Sequence, residues 1–145
     1  MPSHSTDQIR NVAIISHSGA GKTTLNEALL FTAGAVTRLG RVDDGNAVSD
    51  YEPEEVERKI SIVPALCHCE WKGAKVNLID TPGYADFIAD VIFSLWVAEG
   101  ALLVVDGVAG VEVHTEKVFA TARGMGKPMI AVVNKMDKAN ASFAQ

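Results

Sequence analysis

The chain has 145 residues, 48% of them hydrophobic and 21% charged, a balance that suits one globular core. It excludes disorder, a collagen-like repeat and a disulfide-stapled scaffold. Thirteen basic residues against eighteen acidic ones leave a net charge of -5, so the molecule as a whole repels nucleic acid and any RNA contact is local.

Residues 1–10 are polar and lack the apolar run of a signal peptide. The β-branched run Val12 to Ile15 predicts a strand, Ser18-Gly19-Ala20-Gly21 a loop, and Lys22 to Leu30 a helix that ends by Gly34. Residues 37–59 are polar, with an acidic run from Glu52 to Glu57 and no sustained period. A loop of that length in a small domain is functional or mobile. Ile60 to Trp71 reads as a strand, and Pro64 within it places that strand at a sheet edge. Lys72-Gly73-Ala74 then turns it into Lys75 to Ile79, making a hairpin.

A helix over 86–98, a strand Ala101 to Val105, a helix Glu112 to Arg123 and a strand Met129 to Val133 follow. The apolar stretch from Phe87 to Val105 approaches membrane-spanning length, but Asp90 and Glu99-Gly100 break it, so no membrane is expected. In the helix over 86–98, positions 87, 88, 91, 92, 95 and 96 form the core-facing stripe, which Phe93 and Val97 widen. Either neighbouring strands bury the widened stripe or another domain docks on it. Alternating strands and helices predict an α/β domain: a mostly parallel sheet with one antiparallel edge strand and helices on both faces. Cys67 and Cys69 share one strand face while His68 points away, and no second ligand pair accompanies them, so they read as packing cysteines in a reducing cytosol.

Three motifs specify chemistry. Ser16-His17-Ser18-Gly19-Ala20-Gly21-Lys22-Thr23 fits G-x-x-x-x-G-K-[ST], with serine at the first glycine, between a strand and a helix as a P-loop requires. Backbone N–H groups from Gly19 to Thr23, flanked by Ser18 and Thr24, wrap a β-phosphate at the helix N-terminus. Lys22 reaches the β and γ oxygens, and the Thr23 hydroxyl ligates Mg²⁺. Asn134-Lys135-Met136-Asp137 follows the last strand at its carboxyl end. The Asp137 carboxylate accepts from guanine N1 and N2 hydrogens and finds no such donors on adenine; Asn134 ties the loop to the base edge, and the Lys135 stem covers the ring. Asp80-Thr81-Pro82-Gly83 closes a strand, with Asp80 placed to hold Mg²⁺ through a water and the Gly83 N–H placed to sense the γ-phosphate.

This ordered set resembles the translational GTPases, and among them elongation factor G. Gly45, Asp50, Glu57-Arg58, Ile60 and Ile62 resemble that family's first switch segment; Asp86-Phe87 and the block from Asn134 to Asp137, followed by Phe143, resemble its later blocks. The resemblance implies a six-stranded, mostly parallel GTPase domain with GTP or GDP and Mg²⁺ as its ligands. It also implies the ribosome as partner, met through rRNA by the full-length protein, a cytoplasmic setting and no DNA contact. Ser61 stands where the family has a threonine that completes the Mg²⁺ shell and keeps the hydroxyl. Gly19 replaces an aspartate associated with a helper monovalent cation. Tyr84 replaces a catalytic histidine, and a phenol does not carry a proton as an imidazolium does.

The expectation is a GTPase switch domain in which Lys22, Thr23, Ser61 and Asp80 do the work, Gly83 and Tyr84 bear on hydrolysis, and turnover is slow in isolation. One alternative is a GTP-binding module that signals by occupancy; another, disfavoured by Asp137, is a P-loop ATPase or kinase. The whole chain, 1–145, reads as the N-terminal part of a G domain that stops before its last helix and strand. Further domains lie elsewhere in the protein, and nucleotide affinity is expected to be weaker than in a complete domain.

Overall fold

In a computed structural model of the chain, residues 4–143 are described; Met1 to Ser3, part of the stretch read as lacking a signal peptide, fall outside them. The strands are β1 (Ile9–Ile15), β2 (Ala65–Trp71), β3 (Ala74–Asp80), β4 (Gly100–Asp106) and β5 (Met129–Asn134). The helices are α1 (Lys22–Thr32), α2 (Pro53–Arg58), α3 (Ile88–Val97) and α4 (Val113–Gly124). The sheet order is β2-β3-β1-β4-β5, with β2 antiparallel to β3 and every other pair parallel.

The β1 run sits at the centre because it is apolar on both faces: Ala13, Ile14 and Ile15 are fully buried. Ala13 and Ile15 face α3 and α4, packing with Val91, Leu95, Val118 and Ala122. Ile14 faces α1 and packs with Leu30, Leu78 and Val104. Each large aliphatic side chain so buried contributes about 2 kcal/mol of hydrophobic stabilisation. On β2 the alternation is equally clear, with Cys67 and Cys69 buried in the α1-side cluster and Leu66 and His68 turned outward. The cysteines are free, and burial pushes both thiols up. They behave as small packing residues.

The structure departs from the sequence reading in three places. Ile60 to Pro64 is not strand: the Ile60 N–H donates to the Glu55 carbonyl, and the Ile62 and Val63 N–H groups donate to Glu55 Oε1 at 2.8 and 3.1 Å. With those donors spent on a side chain there is no ladder to join, and β2 starts only at Ala65, after the proline and at the sheet edge. The polar loop 37–59 contains α2, started by Glu52 as N-cap, Pro53 at N1 and a reciprocal Glu52/Glu55 capping box.

The third departure concerns α3. It begins at Ile88 after a 3-10 turn, and its buried positions are Val91, Ser94 and Leu95. Trp96 is 65% exposed rather than core-facing, and Phe93 and Val97 are exposed beside it. Phe93 and Trp96 pack edge to face at 5.8 Å. Ser94 takes the inward position because its hydroxyl is satisfied by the Asp90 carbonyl within the helix. Trp96→Gln is therefore expected to change the stability of the nucleotide-free chain by less than about 0.5 kcal/mol in a urea titration.

Candidate nucleotide-binding site

The carboxyl ends of β1, β3, β4 and β5 point to one rim of the sheet, so all three motifs converge there. After Ile15, Ser16 is fully buried and its hydroxyl donates to the Val104 carbonyl, a bond that the glycine of the common motif would lack. His17 Nδ1 lies 2.7 Å from Thr115 Oγ1 and Nε2 lies 3.6 Å from Glu112, which ties the loop to α4. Burial lowers the His17 pKa, with Glu112 opposing, and the ring serves as a strut between the loop and α4. Gly21 has φ 94°, and a Cβ there would fall 2.2 Å from Asn134 Nδ2. That same Nδ2 donates to the Ala20 carbonyl at 2.9 Å, joining motifs 114 residues apart.

Lys22 is 6% exposed. Its Nζ donates to the His17 carbonyl at 2.8 Å and lies 3.5 Å from that of Ser16, across the mouth of the loop. Burial pushes its pKa down to about 8, against the pull of the Asp80 carboxylate. Gly83 closes over it: a Cβ at Gly83 would meet Lys22 Nζ at 2.4 Å and the Ser18 backbone at 2.7 Å. No other residue type fits there without displacing the loop.

Beneath Lys22 lies a set of oxygen donors. Thr23 Oγ1 is 3.1 Å from Ser61 Oγ, and Ser61 donates to Asp50 Oδ1 at 2.7 Å. Ser49 donates to Asp80 Oδ2 at 2.9 Å. The remaining oxygens, Asp80 Oδ1 and Asp50 Oδ2, are buried with no partner. Burial pushes the Asp80 pKa up to about 6, against the Thr23 and Ser49 hydroxyls and the Lys22 ammonium, and it raises that of Asp50. Two orphaned carboxylate oxygens beside two hydroxyls are hard donors of the kind Mg²⁺ takes. Asp50 was legible only as part of a switch-like segment, and Ser49 carried no signal.

At the base end, Lys135 stands at φ 60° and its Nζ meets Asp106 Oδ2 at 2.5 Å. Burial works against the Asp106 carboxylate, yet that ammonium and the Val108 and Ala109 N–H groups outweigh it and hold the pKa below the usual range. Asp137 is exposed, 4.0 Å from Lys138. A cavity of 570 Å³ runs along Ser18, Gly19, Gly21, Lys22, Thr23 and Thr24 to Ser61, Gly83 and the half-exposed Tyr84. A second of 440 Å³, lined by Asp106, Ala109, Lys135 and Asn140, adjoins it through Lys135. Of the expected phosphate and metal residues, Ser18, Gly19, Gly21, Lys22, Thr23, Thr24 and Ser61 line the larger cavity with Lys135. Ala20, Asp80 and Asn134 line neither cavity, although Asn134 is tied to the Ala20 carbonyl and Asp80 to Ser49; Asp137 and Phe143 also remain outside both.

Comparisons with known proteins give the chain's relatives. Residues 7–145 match the family described as the elongation factor Tu GTP binding domain. The mitochondrial ribosome-releasing factor 2 of Yarrowia lipolytica is 50% identical over 142 residues, which cover 98% of this chain and 18% of that protein. Elongation factor G of Thermotoga petrophila is 47% identical over 137 residues, 94% of this chain and 20% of its own length. A crystal structure of a protein from Thermus thermophilus superposes with a TM-score of 0.90 at 40% identity, covering 94% of this chain and 21% of the other. The chain spans about a fifth of the length of these relatives. With the P-loop, the D-T-P-G turn and the N-K-M-D block meeting at one sheet rim, the chain belongs to the family of elongation factor Tu-type GTP-binding domains.

Proposed function

We propose that this chain is the GTP-binding and GTP-hydrolysing switch of a ribosome-associated translation factor resembling elongation factor G. One observation supports the reading: Thr23 Oγ1 lies 3.1 Å from Ser61 Oγ, Ser61 donates to Asp50 and Ser49 donates to Asp80, so a P-loop hydroxyl and carboxylates of both switch segments lie close together. Backbone N–H groups from Ser18 to Thr24 cradle the β-phosphate, and Lys22 reaches the terminal oxygens. Thr23, Ser61 and Asp80 hold Mg²⁺, which when bound neutralises charge shared by the β- and γ-phosphates. The Gly83 N–H senses the γ-phosphate, and Tyr84, on the cavity rim, positions the attacking water. Asp137 accepts from the guanine edge while Lys135 and Asn134 fix the base loop.

The partner is the ribosome, engaged through rRNA by the full-length protein together with domains beyond 1–145. The protein works in a compartment that holds ribosomes, the cytoplasm; the Yarrowia relative is named mitochondrial. Among the described residues no helix is long and apolar enough to cross a membrane.

Competition titrations on the complete protein test the reading. GTP and GDP are expected to displace a fluorescent guanine nucleotide, with ATP at least about a hundredfold weaker, and Asp137→Asn is expected to shrink that gap about tenfold. Phosphate release is expected to be slow alone and to rise when ribosomes are titrated in. Equal affinity for adenosine and guanosine triphosphates overturns the proposal.

A further inference from the structure

Three lysines of this chain adopt the left-handed backbone conformation that favours glycine: Lys59 at φ 56°, Lys72 at φ 49° and Lys135 at φ 60°. Two of them have visible employment for the side chain. Lys72 sits at the hairpin turn with Nζ 6.0 Å from the centre of the Trp71 ring, and Lys135 pairs with Asp106 at 2.5 Å. The Lys59 side chain has no hydrogen bond or ion pair to any other described residue. Its backbone does what a helix C-terminus needs: it caps α2 at ψ 41°, and the Lys59 and Ile60 N–H groups both donate to the Glu55 carbonyl. Glycine suits that turn without strain, and a cation already stands in the last turn as Arg58. The cap therefore does not explain a lysine.

The cavity does. Lys59 lines the same 570 Å³ space as Lys22, Thr23 and Gly83. Two residues further on, Ser61 is locked to Thr23 and Asp50, so the position of Lys59 is fixed relative to the metal-side donors. The other cations that line this cavity have partners: Lys22 the His17 carbonyl, Lys135 Asp106, and Arg41 Asp44 at 4.0 Å. That leaves Lys59 as the lining cation without a protein partner among the described residues.

We propose that Lys59 is a second phosphate-binding cation, carried by the first switch segment and directed to the terminal phosphate of a nucleoside triphosphate. Lys22 belongs to the loop and keeps its β-phosphate contact in either nucleotide, whatever it adds at the γ oxygens of a triphosphate. Lys59 belongs to the switch, so its contact exists only when that segment is closed over a third phosphate. It thereby favours triphosphate over diphosphate, because a ligand shifts a two-state element only by its differential contacts. The proposal rests on the guanine-nucleotide reading above and adds a specificity residue to it.

The test compares Lys59→Gly, Lys59→Gln and Lys59→Arg in the complete protein. Affinities for a non-hydrolysable GTP analogue and for GDP are measured by calorimetry with Mg²⁺, and melting temperatures without nucleotide. Lys59→Gly is expected to melt higher than wild type, since it relieves the left-handed lysine, and yet to bind the triphosphate about tenfold more weakly while GDP stays within about twofold. Lys59→Gln is expected to show the same loss, and Lys59→Arg to retain most of the preference. Unchanged triphosphate affinity in both neutral variants overturns the proposal, as does an equal loss for both nucleotides, which marks a purely structural role. In either case wild-type binding of GTP and GDP leaves the underlying reading standing. Failure of the wild type to prefer guanine nucleotides removes that reading and this one with it.

Discussion

Replacing Lys22 with methionine is expected to stabilise the nucleotide-free chain and to abolish nucleotide binding. The ammonium is 6% exposed and answered by backbone carbonyls, and burial has brought its pKa down to about 8 from the usual 10.5. Below pH 8 both the folded and the unfolded chain hold the proton, so the full cost of the buried charge is present at neutrality. Between about pH 8 and 10.5 the unfolded chain binds more protons, and the stability of the wild type rises with pH as the folded amine loses its charge. A methionine of similar length removes that cost. After allowing for the lost bonds to His17 and Ser16, the gain is on the order of 2 kcal/mol at pH 7. Urea titrations at pH 7 and pH 10 check it: the difference between Lys22→Met and wild type shrinks at the higher pH. Nucleotide affinity moves the other way, falling by about a hundredfold or more, because the loop loses its one buried cation. A variant that is less stable at both pH values would show that the carbonyl bonds outweigh the desolvation.

The P-loop, the D-T-P-G turn and the N-K-M-D block were legible because each is a run of adjacent residues whose chemistry depends on spacing along the chain. The strand-helix alternation that carries them was legible for the same reason: β1 and β4 are continuous apolar runs, and β2 alternates from Ala65 onward. Misreadings fall where a distant or side-chain partner replaces a local one. Ile60 to Ile62 look strand-like, but Glu55 takes the N–H groups a ladder would need. Trp96 falls within an apolar stripe at helical spacing, but the buried face of α3 runs through Val91, Ser94 and Leu95 and leaves the indole exposed. The α2 signals are present in Glu52-Pro53-Glu54-Glu55, a cap, an N1 proline and a reciprocal box, but they lie in a polar stretch without a sustained period. Ser16 on Val104 and Ser49 on Asp80 join residues 88 and 31 positions apart, and no periodicity or spacing encodes such pairs.

Glu27 is the strongest of these long-range devices. Its side chain is fully buried on α1, one turn beyond Thr23, and both carboxylate oxygens accept from the loop that returns over the helix: Gly40 N–H at 2.9 Å and Val48 N–H at 2.6 Å. The next two residues, Ser49 and Asp50, are those that reach Asp80 and Ser61. Glu27 thus pins the first switch segment to the same helix that supplies the metal-side hydroxyl. Glu27→Ala removes the acceptor of two backbone donors, the buried Gly40 N–H and the part-buried Val48 N–H, and leaves a cavity, so it is expected to cost about 3 kcal/mol, lowering the melting temperature by about 10 °C. Hydrogen exchange is expected to quicken over residues 38–50 more than over β1 or β4, because the pins of that segment are what is lost. Mg²⁺-dependent binding of a GTP analogue is expected to weaken more than Mg²⁺-free binding of GDP, since Ser49 and Asp50 are no longer held against the donor set. Glu27→Gln keeps one acceptor oxygen and is expected to fall between wild type and alanine in all three measurements. A uniform rise in exchange across the sheet, without a bias to 38–50, would show that Glu27 supports the core rather than the switch.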